Sequence, residues 1–266
     1  MSEIPTFFAV YLSLGAIVGL LAGLLGIGGG LIIVPVLMYI FERHLGLPLQ
    51  HALPMAIATS LSTIILTGLS STLSHIRLRH VNSKIVIWCA LGIILGALVG
   101  PQIAVRIPVQ SLKLIFAFMV LFIALQMIFL KPKSVKSCIS KPMLMGIGCV
   151  TGIISAFMGI GGGAIMVPAL VWFRVDIKQA IGCAAFCGMV IAIFGSFSFV
   201  LAGWNVQGLP TAAFGYIYLP AVLGIVMTSI FTAQFGAKIS HRLHTQRLKQ
   251  IFAAFLVVVS LQMFLG

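Results

Sequence analysis

The sequence predicts an all-α integral membrane protein of two inverted-topology repeats, each with a broken or re-entrant first segment at a GIGGG motif and three transmembrane helices after it. Three observations carry that expectation. Ile4 to Phe41, Pro142 to Phe173 and Gln179 to Ala237 contain no charged residue, and each run exceeds the roughly 20 apolar residues that one span needs. The decapeptide GIGGGLIIVP at Gly26 to Pro35 returns as GIGGGAIMVP at Gly159 to Pro168. The 16 Lys and Arg residues sit in short clusters between the apolar runs, as in loops facing anionic lipid.

Composition excludes several classes. With 61% hydrophobic and 7% charged residues and a mean hydropathy of +1.22, the chain lies far from a soluble domain, where roughly 25% of residues are charged. A net charge of +13 would suggest nucleic acid in a soluble protein, but strings such as IRLRHVNSK and KISHRLHTQRLK fit a membrane surface instead. The opening MSEIPTFF lacks a basic n-region, so a cleaved signal peptide is not expected and the first segment should stay in the mature protein. Five cysteines without a CxxC pair argue against disulfides and a zinc site. Cys183 and Cys187 share a helical face, which fits small apolar side chains better than metal ligands.

The elements follow from the duplication. At an offset of 133, residues 26–35 match 159–168, Gly15 falls on Gly148 and Gly19 on Gly152; at 136, the stretch from Leu112 matches that from Leu248. This predicts a first repeat over 1–131, a cytoplasmic linker over 132–141 and a second repeat over 142–266. The segments expected in the first repeat are 5–41, 52–74, 84–105 and 112–130; in the second, 142–173, 179–202, 211–236 and 248–265. As one straight helix the longest would be on the order of 55 Å, against a hydrocarbon core of about 30 Å.

Charge bias favours a first segment that folds back over one that crosses once. Single crossing divides the basic residues almost evenly. Fold-back gathers Arg77, Arg79, Lys84, the linker lysines, Arg174, Lys178 and the cluster from Lys238 to Lys249 on one side, leaving Arg43, Arg106 and Lys113 on the other. The richer side should be cytoplasmic. Both termini are then outside, and the two halves enter from opposite faces, as in many secondary transporters.

A helix interrupted at membrane depth survives only where protein buries it or where it lines a wet cavity. The glycines remove side chains there and permit positive φ. The apolar residues after each motif resume a helix, so each motif lies at a helix N-terminus, whose open N–H groups and positive dipole end favour an anion. Tight packing alone is the competing reading. It is the better one for the stripes Gly15, Gly19, Gly23 and Gly92, Gly96, Gly100. The GxGxxA pattern at Gly159, Gly161 and Ala164 fails as a dinucleotide signature, since the first copy has Leu31 at the last position and no βαβ unit surrounds either.

The two GIGGG…VP motifs, AIATSLSTIILTGLSSTLSHIRLRHVN after the first, AGWNVQGLP, and GYIYLPAVLGIVMTSIFTAQFGAKISHRL together resemble the sulfite exporter TauE/SafE family of membrane permeases over nearly the whole chain. The resemblance implies a bacterial or archaeal transporter of the cytoplasmic membrane for small, mostly sulfur-containing anions such as sulfite, sulfoacetate or other organosulfonates. Members with different substrates share these motifs, so the particular anion is not implied. One departure is Arg79-His80, where the family often has a glycine before the pair that is here Val81-Asn82. That loop should be cytoplasmic and of little consequence for the substrate.

The candidate substrate-binding residues are Gly26, Gly28, Gly29, Gly30, Thr59, Ser60, Gly159, Gly161, Gly162 and Gly163. Thr59 and Ser60 offer hydroxyl donors without a buried charge, and the repeat sets them opposite Cys187 and Gly188. Bonding back to their own helix is the alternative for each hydroxyl. Ser70, Ser71, Thr72 and Ser74 extend the polar stripe. His75, at the end of that span, is an interfacial residue or a pH-sensitive gate. Trp204, Asn205 and Gln207 should lie in an outer connection, and Gln126 and Gln262 recur in the last spans as candidates for helix–helix hydrogen bonds. Glu3, Glu42 and Asp176 all flank the spans, which leaves no carboxylate relay, catalytic constellation, metal site or cofactor site to build. The expected partners are a small anionic substrate and the lipid bilayer, with no nucleic acid and with a homodimer left open. Export of an anion by the membrane potential is the expected activity; a passive pore for small solutes and an uptake permease for organosulfur compounds remain the alternatives.

Overall fold

A computed structural model describes residues 4–25, 29–129, 140–240 and 245–265. Among them run α1 (Ile4–Leu25), α2 (Gly30–Arg43), α3 (Leu49–Arg77), α4 (Ser83–Ala104), α5 (Val109–Phe129), α6 (Lys141–Met158), α7 (Gly163–Trp172), α8 (Ile177–Gly203), β1 (Ala213–Phe214), β2 (Ile217–Tyr218), α9 (Leu219–Ser240) and α10 (Thr245–Leu265). Five of the helices, α3, α4, α5, α6 and α8, are long and apolar enough to cross a membrane. This is a multi-pass helical membrane protein.

Local chemistry sets several boundaries. Asn82 accepts the Lys84 N–H at 3.1 Å and starts α4, and Asp176 accepts the Lys178 N–H at 3.0 Å and starts α8, each satisfying a first-turn donor. Helices α3 and α7 end in left-handed residues that are not glycine, Arg79 at φ 56° and Arg174 at φ 62°. One boundary departs from expectation. The span foreseen over 211–236 begins as a hairpin and becomes helix only at Leu219, because the chain turns at Gly208 and Gly215, with φ 86° and 57°, and strands β1 and β2 pair Ala213 with Tyr218 and Phe214 with Ile217.

Small residues bring the helices together, as expected where lipid supplies no hydrophobic drive between them. A side chain at Gly15 or Gly19 would strike α9 at Ile225 and Ser229, while one at Gly224 would strike Tyr11; α1 and α9 therefore run parallel. Gly92, Gly96 and Gly100 meet Met145, Cys149 and Ile153 in turn, so α4 runs parallel to α6. Helices α3 and α8 are antiparallel, with Gly195 beside Leu61 and Gly68 beside Met189. Asn82 meets Cys183 and Gln102 meets Ser198, which sets α4 parallel to α8. Helices α5 and α10 are tied by the Ser260 hydroxyl to the Ala117 carbonyl at 2.9 Å; Gln126 is half-buried and Gln262 exposed, so this bond takes the place foreseen for the two amides.

Exchanging α1–α5 for α6–α10 maps the main pairings onto themselves: α1·α9 onto α4·α6, α2·α3 onto α7·α8, α3·α9 onto α4·α8, with α3·α8 and α5·α10 unchanged. The core centres on α2 and α3, where Leu31 to Val34 and Leu53 to Leu61 are buried. Phe118, Phe122, Phe231 and Phe235 point outward, as residues facing acyl chains do.

Candidate functional site

Two helix starts define the candidate site. Gly29 precedes α2 with φ 73° and ψ −15°, and Gly162 precedes α7 with φ 73° and ψ −23°. Such a left-handed conformation favours glycine. Neither residue has a side chain to cap its helix. The Gly29 carbonyl takes the N–H groups of Ile32 and Ile33, and the Gly162 carbonyl those of Ile165 and Met166. Among the described residues no acceptor takes the N–H groups of Gly30, Leu31, Gly163 or Ala164, although all four residues are buried. Buried donors of this kind normally have a partner.

The second glycine run lies against the first helix start. A side chain at Gly30 would strike the Gly159 carbonyl oxygen and come within 3.0 Å of the Ile160 Cα. Gly159, itself at φ 71°, closes α6, and its carbonyl accepts the Ser60 hydroxyl at 2.9 Å. Gly188 on α8 leaves room for the Gly161 carbonyl, which any side chain there would strike. Thus Gly29, Gly30, Ser60, Gly159, Gly161, Gly162 and Gly163 gather in one region. Gly26 and Gly28 lie outside the described residues.

The hydroxyls divide by what they hold. Ser62 donates to Ala58 and Thr63 to Ser60 within their own helix, at 3.0 and 2.7 Å, the back-bonding that makes such residues silent. Ser62 also reaches the Ser196 hydroxyl at 3.2 Å. Ser60 instead crosses to the other half, and Thr59 accepts the Tyr218 N–H at 3.0 Å. Ser155, in the last turn of α6, went unremarked in the sequence. Its hydroxyl is buried without a hydrogen-bond partner, and an unpaired buried hydroxyl costs about 1–3 kcal/mol. Its place four residues before Gly159 was the available signal.

Electrostatically the region depends on dipoles. The described carboxylates, Glu42 and Asp176, lie at the far end of α2 and ahead of α8, so two helix N-termini bring partial positive charge without an embedded cation. His75 is not part of this cluster. It lies sixteen residues along α3 from Thr59, about 24 Å, with its ring 5.9 Å from that of His80 and its Nδ1 buried without a partner. Among the described residues no group of three His, Cys, Asp or Glu could hold a metal.

Beside Thr59 lies the hairpin. The Tyr218 ring packs edge-on against Phe41 and Tyr11, at 5.5 and 6.4 Å between centroids. Tyr216 lines a cavity of about 230 Å³ with Gln50, Pro54, Ala104, Ile107 and Leu112. Trp204 packs edge-on against Phe214 at 5.5 Å between centroids and is exposed, as an interfacial anchor would be.

No solved structure matches the chain. It is 40% identical to a "Probable membrane transporter protein" of Haemophilus influenzae, across 98% of this chain and 99% of that one. Similar proteins of the same description occur in Methanocaldococcus jannaschii, at 27% identity over 94% of this chain and 93% of the relative, and in Bacillus subtilis, at 28% over 96% and 97%. The family described as Sulfite exporter TauE/SafE matches residues 11–263, and the chain belongs to that family of membrane transporters.

Proposed function

We propose that the protein carries small oxyanions, sulfite or organosulfonates, out across the cytoplasmic membrane of a prokaryote, holding the anion where the two glycine breaks meet. The single observation behind this reading is the pair of buried, uncapped helix starts at Gly30 and Gly163, brought together around Gly159. Four N–H groups that no described acceptor takes and two positive dipole ends suit an oxyanion, and they do so without a charge that would hold it too tightly to release.

The halves are inverted repeats. Equivalent helices α3 and α8 run in opposite directions, and the main helix pairings survive exchange of the halves. Helix α1 enters from one face and α2 returns to it; α6 and α7 do the same from the other. Arg43, Arg106 and Lys113 then lie on the face of the α4–α5 connection, which is outside, and the richer basic set lies inside. Such repeats rock about a shared site to alternate access.

The membrane potential supplies the driving force. One negative charge leaving an interior-negative cell gains about 2.3 kcal/mol per 100 mV, roughly a fiftyfold distribution ratio. Radiolabelled sulfite loaded into proteoliposomes tests this. Saturable efflux that rises with an interior-negative potential is expected; flux that never saturates would indicate a pore, and no potential-dependent efflux would overturn the reading for sulfite.

A further inference from the structure

The two halves differ most in one connection. Between α3 and α4 the chain needs only residues 78–82, whereas between α8 and α9 it spends residues 204–218 and builds the hairpin. The extra length reaches inward. Helix α3 has 29 residues, about 43 Å, so centring it on a core of about 30 Å leaves about 7 Å beyond each surface. Thr59 lies about 15 Å from the helix start, and the Tyr218 N–H that it accepts is therefore about 8 Å inside the core. Non-helical backbone at that depth must be buried in protein or line a wet cavity. The hairpin is buried in protein, since a side chain at Gly215 would come within 2.7 Å of the Val200 Cα, and its Tyr216 lines the 230 Å³ cavity.

We infer that residues 204–218 form the outer gate of the anion path, latched shut by the hydrogen bond from the Tyr218 N–H to Thr59. The inference rests on the paired glycine breaks being the anion site. Tyr218 touches α1 through Tyr11, α2 through Phe41 and α3 through Thr59, while Gly203 and Gly215 press the hairpin onto α8. It thus bridges both halves at the level where they must part. Its own strands are two residues each, and so short a hairpin has little stability of its own. The latch is next to the site in the chain, because Thr59 precedes Ser60, which holds Gly159. Lifting the hairpin uncovers the breaks from outside and leaves the Thr59 hydroxyl for the departing anion. The equivalent connection on the inner face, residues 78–82, contains no strand, so the inner gate is made differently.

The first readout, a modification rate, needs no substrate. A Ser60→Cys protein is modified from outside with a small, membrane-impermeant methanethiosulfonate, and the rate is compared after adding Thr59→Val, which removes the acceptor at nearly constant volume. Loss of one hydrogen bond should raise the rate about fivefold, and replacing residues 211–217 by the same number of Gly and Ser residues should raise it further. Unchanged rates in both overturn the gate. If Thr59→Val does not purify as a folded protein, the Gly/Ser replacement decides alone. Faster modification in a protein that binds neither sulfite nor an organosulfonate such as sulfoacetate would overturn the anion site and keep the gate; sulfite binding with unchanged modification would do the reverse.

Discussion

The Ser60 hydroxyl donates to the Gly159 carbonyl oxygen at 2.9 Å, joining α3 of one half to the glycine run of the other. The bond fixes the Gly159 carbonyl at the end of α6, which no backbone N–H takes among the described residues. Ser60→Ala should lower stability by about 1–3 kcal/mol in detergent unfolding. Ser74→Ala, at an exposed hydroxyl that bonds within its own helix, should change it by less than about 0.5 kcal/mol.

Alanine at Gly30 or Gly188 must displace a backbone carbonyl, that of Gly159 or of Gly161. Both variants should lose most sulfite transport in proteoliposomes even where they assemble. Gly146 in α6 is the control: a side chain there meets nothing within 4 Å, and Gly146→Ala should keep transport and gain up to about 1 kcal/mol from helix propensity.

Arg79 occupies a left-handed position, φ 56°, of the kind that favours glycine. That conformation costs a non-glycine residue about 1 kcal/mol or more. Arg79→Gly should raise stability by about 1 kcal/mol and leave transport unchanged. A loss of transport would show that the guanidinium serves the anion at the inner mouth.

Sidedness follows from the fold-back topology. Cysteines replacing Arg106 and Lys113 should react with an impermeant reagent applied outside, and those replacing Lys84 and Arg174 only after the membrane is opened. Were Arg174→Cys to react from outside, α6 and α7 could not be a segment that enters and leaves on the inner face.

Much of the architecture was legible because it rests on composition and repetition. Uncharged runs marked the membrane, and the second GIGGG copy pointed to Gly159 to Gly163. The glycine stripes foretold close helix contacts, and Gly15, Gly19, Gly92, Gly96 and Gly100 make them. The hairpin was missed because GYIYLP is as apolar as a span, and only tertiary contact decides that the Tyr218 N–H goes to Thr59 instead of to a helical carbonyl. The repeat offset, shifting from 128 near Thr59 to 136 near Leu112, together with Gly208, Pro210 and Gly215, was the trace of that insertion. Likewise, nothing local to Ser60, Gly30 or Gly188 tells which carbonyl each will meet.

The proposed site holds an oxyanion on the N–H groups at the two helix starts. Selective 15N labelling of glycine in the purified protein lets the Gly30 and Gly163 amides be followed as sulfite is added. Both amides are expected to shift together, with one saturation curve, while Gly146 stays still. Sulfite that binds and leaves both amides unmoved would contradict the proposed site.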